Sequence, residues 1–283
     1  MKKFTEVFMK ILFLLAACIS VAAVALICIF LFANGIPAMS KIGFLDFITG
    51  TEWAPSNDVY GIFPMIIGSL YVTAGAILVG VPIGILSAVF MAKFCPKRIY
   101  KPLKTMVDLL AGIPSIVYGF FGLMVLVPLV QQLFGGSGKG VLTASVLLGI
   151  MILPTIISVS ESAIRAVPES YYEGALALGD THERSVFKAV LPAAKSGILA
   201  AIILGIGRAI GETMAVIMIA GNHPVLPDSL LAGVRTLTSN IVLELGYATD
   251  LHREALIATG VVLFVFILII NLLFSVVKKK GVK

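Results

Sequence analysis

Two charged side chains lie inside one of the most apolar stretches of this sequence. The segment 204–215, LGIGRAIGETMA, contains Arg208 and Glu212 four residues apart. A cationic side chain at the centre of a membrane-spanning helix costs roughly 2.5–3.5 kcal/mol on insertion scales, which ordinary folding does not require. On a continuous helix this spacing brings the two Cβ atoms to about 5–6 Å, so we expect the charges to neutralise one another in part.

Two interpretations of this pair follow from its chemistry. The first is that Arg208 lines the path of an anion and Glu212 holds it in position, with Thr213 in the same path. A guanidinium group suits an oxyanion because it donates two parallel hydrogen bonds and stays charged at any physiological pH. The second is a structural ion pair that locks the helices, although buried ion pairs are weak evidence of stability. Three glycines leave room for backbone or ligand nearby: Gly205, Gly207 and Gly211.

The sequence offers little other chemistry. The segment GGSGKG at 135–140 lacks the Walker A spacing, because position 133 is Leu and Lys139 is followed by Gly140. The segment GIGRAI at 205–210 ends in Ile210 and follows no predicted strand, so it fails as a dinucleotide fingerprint. The 3 histidines and 3 cysteines have no metal-ligand spacing. We therefore expect no enzyme, no metal site and no cofactor bound by this chain.

The composition is that of an all-α membrane protein. Of the 283 residues, 59% are hydrophobic and 13% are charged, and the mean hydropathy is +1.07. Runs longer than about 18 apolar residues predict membrane-spanning helices. The first run is too long for a signal peptide and no small-residue cleavage site follows it, so we expect it to remain as a helix. The six predicted spans lie near Ile11–Ala33, Pro64–Ala92, Thr105–Val130, Val141–Ser160, Ser196–Ala220 and Ala255–Val277.

The basic residues predict the orientation of these spans. Fifteen fall on one side of the membrane: Lys2, Lys3, Lys10, Lys93, Lys97, Arg98, Lys101, Lys104, Arg165, Arg184, Lys188, Lys278, Lys279, Lys280 and Lys283. The other side has only Lys41, Lys139, Arg235 and Arg253. The side rich in basic residues is cytoplasmic, so both termini are expected inside. This asymmetry explains the net charge of +6 without any nucleic acid as a partner.

Two external loops and one glycine-rich span have open interpretations. The loops near 34–63 and 221–254 contain turn formers and scattered apolar residues, so we expect them to fold against the membrane surface. They are either connectors or a docking surface for an external partner. The third span contains Gly112, Pro114, Gly119 and Gly122. Small residues allow close helix packing in lipid, and the proline predicts a kink that serves either packing or gating.

The cytoplasmic loop at about 161–192 is predicted to fold as helix, turn, helix. Pro168 suits the first turn of a helix, and Gly179 suits the left-handed residue that ends one. Asp180 and Glu183, three residues apart, form a capping-box pattern that predicts a second helix. The loop is too apolar for free solvent, so it is expected either to dock on a cytoplasmic partner or to lie on its own bundle.

This loop resembles the EAA loop of ABC-importer permeases, whose pattern is EAA-x3-G-x9-I-x-LP. The match is Glu173-Gly174-Ala175-x3-Gly179-x9-Ala189-x-Leu191-Pro192, with the spacing intact. Gly174 replaces the first alanine, and Ala189 replaces the hydrophobic residue. The resemblance covers about Pro64 to Val277 and implies a type I permease bundle. It also implies that the loop inserts as a coupling helix into a separate ATPase subunit, which holds the ATP and magnesium; its residues here are Glu173, Gly174, Ala175, Gly179, Asp180, Glu183, Leu191 and Pro192.

Three segments in order also resemble the PstC-type permeases of phosphate-specific importers. They are WAPSNDVYGIFPMIIGSLYVT (53–73), LLAGIPSIVYGFFG (109–122) and GIGRAIGETMAVIMIAGN (205–222). The resemblance implies import of inorganic phosphate, with Arg208 on the phosphate path. It implies a heterodimer with a PstA-type permease, a dimer of PstB-type ATPases and a PstS-type binding protein, in the plasma (inner) membrane of a prokaryote and in contact with its lipid.

The expected organisation is an N-terminal helix and external loop (1–63), a permease domain (64–277) and a basic cytoplasmic tail (278–283). Two alternatives remain open at this point. One is a PstA-type or other oxyanion ABC permease, such as one for sulfate or molybdate, which the segment WAPSNDVYGI disfavours. The other is a proton-coupled secondary transporter that uses Arg208 and Glu212 as a relay. Such carriers often contain inverted repeats, and none is evident in this sequence.

Overall fold

Six long apolar helices dominate the computed structural model, which describes residues 2–280 and the side chains of residues 6–273. The candidate membrane spans within this part of the chain are Glu6–Ile42, Phe63–Phe94, Ser115–Phe134, Val141–Arg165, His182–Gly211 and Asp250–Leu273. The prediction of an all-α protein with six spans is confirmed. Residues 281–283 of the predicted basic tail lie outside the described residues.

The helices follow one another in a simple order along the chain. They are α1 (Lys2–Ile42), α2 (Phe44–Thr49), α3 (Phe63–Val89), α4 (Lys97–Gly112), α5 (Ser115–Phe121), α6 (Val127–Phe134), α7 (Val141–Arg165), α8 (Glu169–Ala177), α9 (His182–Ser185), α10 (Leu191–Gly211), α11 (Met214–Ile219), α12 (Leu237–Glu244) and α13 (Asp250–Lys280). Three π-helical segments extend or join these helices, at Phe90–Phe94, Gly122–Leu126 and Val186–Val190. A short antiparallel hairpin, β1 (Trp53–Ala54) and β2 (Val59–Tyr60), lies between α2 and α3.

Helix α7 forms the centre of the bundle and packs mainly on α3 and α10. Small residues allow the backbones to approach closely, since a Cβ at Gly80 of α3 would lie 2.7 Å from the Gly149 carbonyl oxygen of α7. Fully buried aliphatic side chains fill the space around this contact, among them Leu147, Met151 and Ile152. Packing of this kind is what joins helices in lipid, where no expulsion of water drives their association.

The first span extends well beyond its predicted end. Helix α1 has 41 residues, so at 1.5 Å per residue it is about 61 Å long, twice the thickness of a bilayer core. Its last turns, with Ala38 and Met39 buried, pack on α13 beside Leu256 and Ala258. Residues 34–42, expected to begin an external loop, are therefore helical, and the face with Gly35, Ala38 and Met39 is buried against α13.

A buried carboxylate joins four segments of the layer that was predicted to be external. Glu244, which is 6% exposed, accepts a hydrogen bond of 2.8 Å from Trp53 Nε1 and lies 2.8 Å from His252 Nε2. Its other oxygen pairs with Arg235. The Glu244 hub (Trp53, Arg235, Glu244 and His252) thus ties the hairpin, the 221–236 loop, α12 and α13 together. The external loops are a packed layer, and docking on them stays a prediction.

Two of the predicted spans are broken rather than continuous. The third was predicted to run from Thr105 to Val130, but α4 ends at Gly112 and the helix restarts at Ser115. Pro114 has no N–H group and disfavours helical backbone at the residue before it. Ile113 is extended, with ψ 126°, so α4 ends there instead of continuing through a kink. The predicted span Ser196–Ala220 is likewise wrong, because α10 ends at Gly211 and Glu212 is extended with ψ 129°.

Candidate substrate pathway and coupling site

Arg208 lies one turn before the end of α10 and is half-buried. Among the side chains that the structure describes, none forms an ion pair or a hydrogen bond with it. A Cβ placed on Gly207 or Gly211 would meet nothing within 4 Å, so this face of α10 is open. Gly205 differs, because a Cβ there would lie 3.0 Å from Ile156 of α7. Gly205 therefore allows α10 to pack closely on α7, whereas Gly207 and Gly211 border open space beside Arg208.

The predicted ion pair between Arg208 and Glu212 does not form. The two residues do not share a continuous helix, since α10 ends at Gly211. Glu212 Oε1 instead accepts hydrogen bonds of 3.2 Å from the backbone N–H groups of Thr213 and Ala215. A carboxylate at the start of a helix satisfies N–H groups that have no partner within the helix. Glu212 thus caps α11, and its role in positioning Arg208 is corrected to a role in shaping the break.

Thr213 and its neighbours fix the backbone of this break. Thr213 Oγ1 donates to the Gly211 carbonyl at 3.2 Å, and Thr238 of α12 donates to the Glu212 carbonyl at 3.1 Å. The last carbonyls of α10 and the first N–H groups of α11 are therefore held by side chains. This satisfies backbone groups that an interrupted helix would otherwise leave unpaired inside a membrane.

The breaks in the third and fifth spans lie close to one another. Helices α5 and α11, which begin after the two breaks, pack together so closely that a Cβ at Gly119 would lie 2.9 Å from Ala215 Cα. Tyr118 donates its hydroxyl to the Leu110 carbonyl at 2.9 Å, across the first break. Arg208 lies within electrostatic range of that hydroxyl. One region of the bundle therefore combines two interrupted helices and an arginine with no acidic partner in the described chain.

The cytoplasmic loop folds as the sequence predicted. Helix α8 follows Pro168 and ends at Ala177. Gly179 has φ +88°, its N–H donates to the Leu176 carbonyl at 2.9 Å, and the Asp180 N–H donates to the Ala175 carbonyl at 3.1 Å. These two bonds are the Schellman pattern, which satisfies the last carbonyls of a helix and requires a left-handed residue at the glycine position.

The cap of the second helix lies one residue later than predicted. Thr181, not Asp180, is the N-cap of α9, and its Oγ1 accepts from the Arg184 N–H at 3.4 Å. Asp180 instead pairs with the Arg184 side chain at 2.8 Å. Glu183 lies in the first turn of α9, where a carboxylate is favoured by the helix dipole. The prediction that Asp180 caps α9 is therefore wrong, although the predicted turn between α8 and α9 is present.

One face of this helix-turn-helix is exposed and the other is anchored to the bundle. Leu178 is 90% exposed, and Tyr171 and Phe187 are each more than half exposed. On the anchored side, Tyr172 and His182 Nδ1 lie 2.7 Å apart, and other anchoring contacts involve Lys93, Phe94 and Leu191. The remaining residues of the EAA pattern occupy both faces: Glu173, Gly174 and Pro192 are exposed, and Ala175 is half-buried.

A second buried carboxylate, at the C-terminal end of α7, was missed by the sequence analysis. Glu161 is 2% exposed and accepts hydrogen bonds from Tyr100 (2.6 Å) and Arg165 Nε (2.8 Å). Lys104 lies 3.4 Å from its other oxygen. We name Tyr100, Lys104, Glu161 and Arg165 the Glu161 hub. The i, i+4 spacing of Glu161 and Arg165 was the only local signal, and it does not reveal the two partners on α4.

The family of the chain follows from residues 80–281. They match the family described as the binding-protein-dependent transport system inner membrane component. The chain belongs to this family. It is a multi-pass membrane permease of an ABC transporter, and the EAA pattern on the loop between α7 and α10 agrees with that membership.

Relatives in this family cover most of the chain. A probable ABC transporter permease protein YqgH of Bacillus subtilis is 40% identical and covers 92% of this chain and 87% of its own length. The phosphate transport system permease protein PstC of Mesorhizobium japonicum is 37% identical, over 86% of this chain and 81% of its own. A probable phosphate transport system permease protein PstC of Methanocaldococcus jannaschii is 35% identical, over 86% of this chain and 84% of its own length.

Solved permeases share the fold at low sequence identity. A chain of the MetNI methionine ABC transporter, in an inward-facing conformation, has a TM-score of 0.62 at 20% identity and covers 81% of this chain and 99% of that one. A chain of a bacterial alginate ABC transporter also has a TM-score of 0.62, at 16% identity, and the match covers 95% of this chain and 96% of that one. These likenesses confirm the type I permease bundle.

Proposed function

We propose that this chain is the permease subunit of an ATP-driven importer of inorganic phosphate and forms half of the transmembrane pathway. The observation that carries the proposal is Arg208, a half-buried cation beside the open glycine face of α10, with no acidic partner among the described side chains. An unpaired arginine in an apolar span is costly, which makes a functional site the default interpretation. Support for phosphate comes from the relatives named phosphate transport system permease PstC.

The geometry around Arg208 suits an anion that must pass. A guanidinium group binds phosphate oxygens through paired N–H groups. Because none of the described carboxylates pairs with Arg208, its charge stays available in this proposal, while a single cationic contact lets the anion leave again. Glu212 and Thr213 belong to the same pathway in this proposal, because the break that they form ends α10 just beyond Arg208 and leaves Gly211 exposed.

ATP hydrolysis takes place, in this proposal, on a PstB-type ATPase dimer that docks on the helix-turn-helix of α8 and α9. The exposed side chains Tyr171, Leu178 and Phe187 offer the apolar contact that such docking needs. A PstA-type permease supplies the other half of the pathway, and a PstS-type protein delivers phosphate from outside. The basic residues that cluster on the loops of one side support a cytoplasmic location for both termini.

Uptake into membrane vesicles tests the proposal. The chain is produced with its second permease and ATPase, and labelled phosphate uptake is measured with internal ATP or with an imposed proton gradient. We expect uptake that requires internal ATP and the binding protein, and that excess unlabelled phosphate suppresses. Suppression by sulfate or molybdate instead of phosphate would indicate another oxyanion permease. Uptake that follows the proton gradient without ATP would indicate a secondary transporter and refute the proposal.

A further inference from the structure

The Glu161 hub joins three segments at the cytoplasmic end of the bundle. Glu161 and Arg165 belong to α7, and Tyr100 and Lys104 belong to α4. Arg165 Nη2 also donates to the Met91 carbonyl at 2.7 Å, in the π-helical segment that ends the second span. The Arg165 guanidinium carbon lies 4.4 Å from the centre of the Tyr100 ring. A single buried carboxylate thus holds α4 and the end of the second span on α7.

Burying this carboxylate between two helices costs desolvation free energy that an apolar contact would not cost. Glu161 Oε2 has no hydrogen-bond donor among the described groups, and only the Lys104 ammonium balances it. A buried ion pair is often no better for stability than apolar residues of similar volume. An apolar contact between the same elements already exists, where Val107 of α4 packs with Met91 and Ile157. Stability alone therefore gives little reason for a carboxylate at this position.

The position of Glu161 along the chain gives a better reason for a carboxylate at this place. Glu161 precedes the start of the coupling helix α8 by only eight residues, and α7 and α8 are separated by the short segment 166–168. On the other side, α4 leads through the break at Ile113 and Pro114 into α5, which packs on α11 just beyond the end of α10. The hub connects the end of α7, before the proposed ATPase docking site, to α4, before the third span; the other described polar contact between these two helices is the hydrogen bond of 3.2 Å from Lys104 to Ser158.

We propose that Glu161 is a positioning residue that makes α4, and through it the start of the third span, follow the movement of the coupling helix. This inference rests on the proposed function, since it assigns to the hub a part in ATP-driven transport. Two hydrogen-bond donors, Tyr100 and Arg165, and one further cation, Lys104, hold the carboxylate from two helices at once. In this proposal α4 therefore cannot separate from the end of α7 without exposing a buried charge. Coupling between distant sites needs a connected element whose arrangement both sites bias, and in this proposal the hub makes α4 and the end of α7 move as one such element.

The protonation of Tyr100 is consistent with this role. The hydrogen bond from Tyr100 to the Glu161 carboxylate, followed by partial burial, raises the pKa of Tyr100 above its ordinary value. This shift favours the protonated phenol, which is the form that donates the hydrogen bond to Glu161. The groups facing it are Glu161, Arg165 and Asp108.

The variant Glu161→Gln tests the proposal in the complete complex, reconstituted in vesicles with its ATPase and binding protein. The amide keeps an oxygen for Tyr100 but removes the charge that holds Arg165 and Lys104. We expect normal assembly, continued ATP hydrolysis, and a loss of about 5-fold or more in phosphate imported per ATP hydrolysed, the low end of allosteric coupling. Amide hydrogen exchange in α4, measured with and without a non-hydrolysable ATP analogue, should lose its response to nucleotide.

Asp108→Asn is the matched control. Asp108 is 58% exposed and pairs with the same Lys104 at 3.5 Å, and an exposed pair of this kind contributes little. We expect it to leave both the transport ratio and the exchange response unchanged. A Glu161→Gln complex with the wild-type ratio and the wild-type exchange response would overturn the proposal, and so would an Asp108→Asn complex with the same losses.

Two further measurements keep the outcome decisive. If Glu161→Gln fails to assemble, Tyr100→Phe removes one donor and keeps the ring; a smaller loss in the same direction supports the proposal, and an unchanged ratio overturns it. Hydrogen exchange does not depend on the transported substrate. A wild-type complex that fails to import phosphate but shows a nucleotide response in α4, abolished by Glu161→Gln, would refute the phosphate assignment and leave the role of the hub supported.

Discussion

Gly179 offers a direct test of the coupling turn through the variant Gly179→Val. Its φ of +88° lies in the left-handed region, and a Cβ at this position would meet nothing within 4 Å. The Cβ of a substituted side chain therefore causes no collision, and we expect the substitution to act mainly through the backbone. A left-handed conformation costs an L-residue roughly 1–2 kcal/mol, and strained positions of this kind cost of order 1–3 kcal/mol.

The expected effect on ATPase docking follows from that strain. If only the native turn fits the ATPase, roughly 1–3 kcal/mol lowers the affinity by about 5- to 150-fold. The assay is a titration of the isolated ATPase subunit onto the permease pair in lipid nanodiscs, together with ATP-dependent uptake in vesicles. Gly179→Ala, which is not β-branched, should lose less than Gly179→Val. The amount of permease in the membrane should not change.

Gly136→Val is the matched control for this experiment. Gly136 has φ +71° and also has nothing within 4 Å of a Cβ, but it lies in the turn between α6 and α7, at the opposite end of α7 from the coupling loop. It should suffer a similar backbone strain without any change in ATPase affinity. Wild-type ATPase binding and transport by Gly179→Val would refute the docking argument, and an equal loss in both variants would attribute the effect to general strain.

Three further predictions address the pathway, the external layer and the topology. Arg208→Gln should abolish phosphate uptake at near-normal assembly, and Arg208→Lys should recover little because a point charge lacks the planar fork; normal uptake by the Gln variant removes Arg208 from the pathway. Glu244→Ala should destabilise the fold by about 3–5 kcal/mol, because it leaves the largely buried Arg235 without its carboxylate partner. Glu254→Ala, which breaks the exposed pair with Lys41, should cost less than about 1 kcal/mol; denaturant unfolding of the purified complex measures both. A cysteine at Ser137 should react with an impermeant reagent from outside, and a reporter fused after Lys283 should be cytoplasmic; an external reporter contradicts the orientation.

The features that the sequence predicted well depend on neighbouring residues. The spans follow from the length of each apolar run, and the turn after α8 follows from Gly179, because only a glycine adopts φ +88° without strain. Pro168 marked the start of α8 for a similarly local reason. These signals need no knowledge of the rest of the chain.

The breaks were only partly predictable. Pro114 was recognised, but a proline permits either a kink or an interruption, and packing of α5 on α11 decides between them. The helical spacing between Arg208 and Glu212 favoured an ion pair. The structure has a competing interaction instead, in which the Glu212 carboxylate accepts hydrogen bonds from backbone N–H groups at the start of α11. A charged residue inside an apolar run thus has two possible partners, a side chain one turn away or the backbone of a helix start. The sequence alone does not distinguish them.

The two hubs could not have been predicted from local patterns. Trp53 and Glu244 are 191 residues apart in the chain, and Tyr100 and Glu161 are 61 residues apart. Each contact exists because helices far apart in sequence are neighbours in the bundle. A buried carboxylate in a membrane protein does predict that partners exist, but not which helix supplies them.

The length of the fifth span has a mechanical consequence. His182–Gly211 is continuous over 30 residues, so it is a rod of about 45 Å at 1.5 Å per residue, and a tilt of about 5° around its middle would move each end by about 2 Å. The coupling turn lies at one end of this rod and Arg208 lies within one turn of the other. If this rod tilts around its middle, a displacement of the end that contains the coupling turn moves the end that contains Arg208. The second displacement has the opposite direction and nearly the same size.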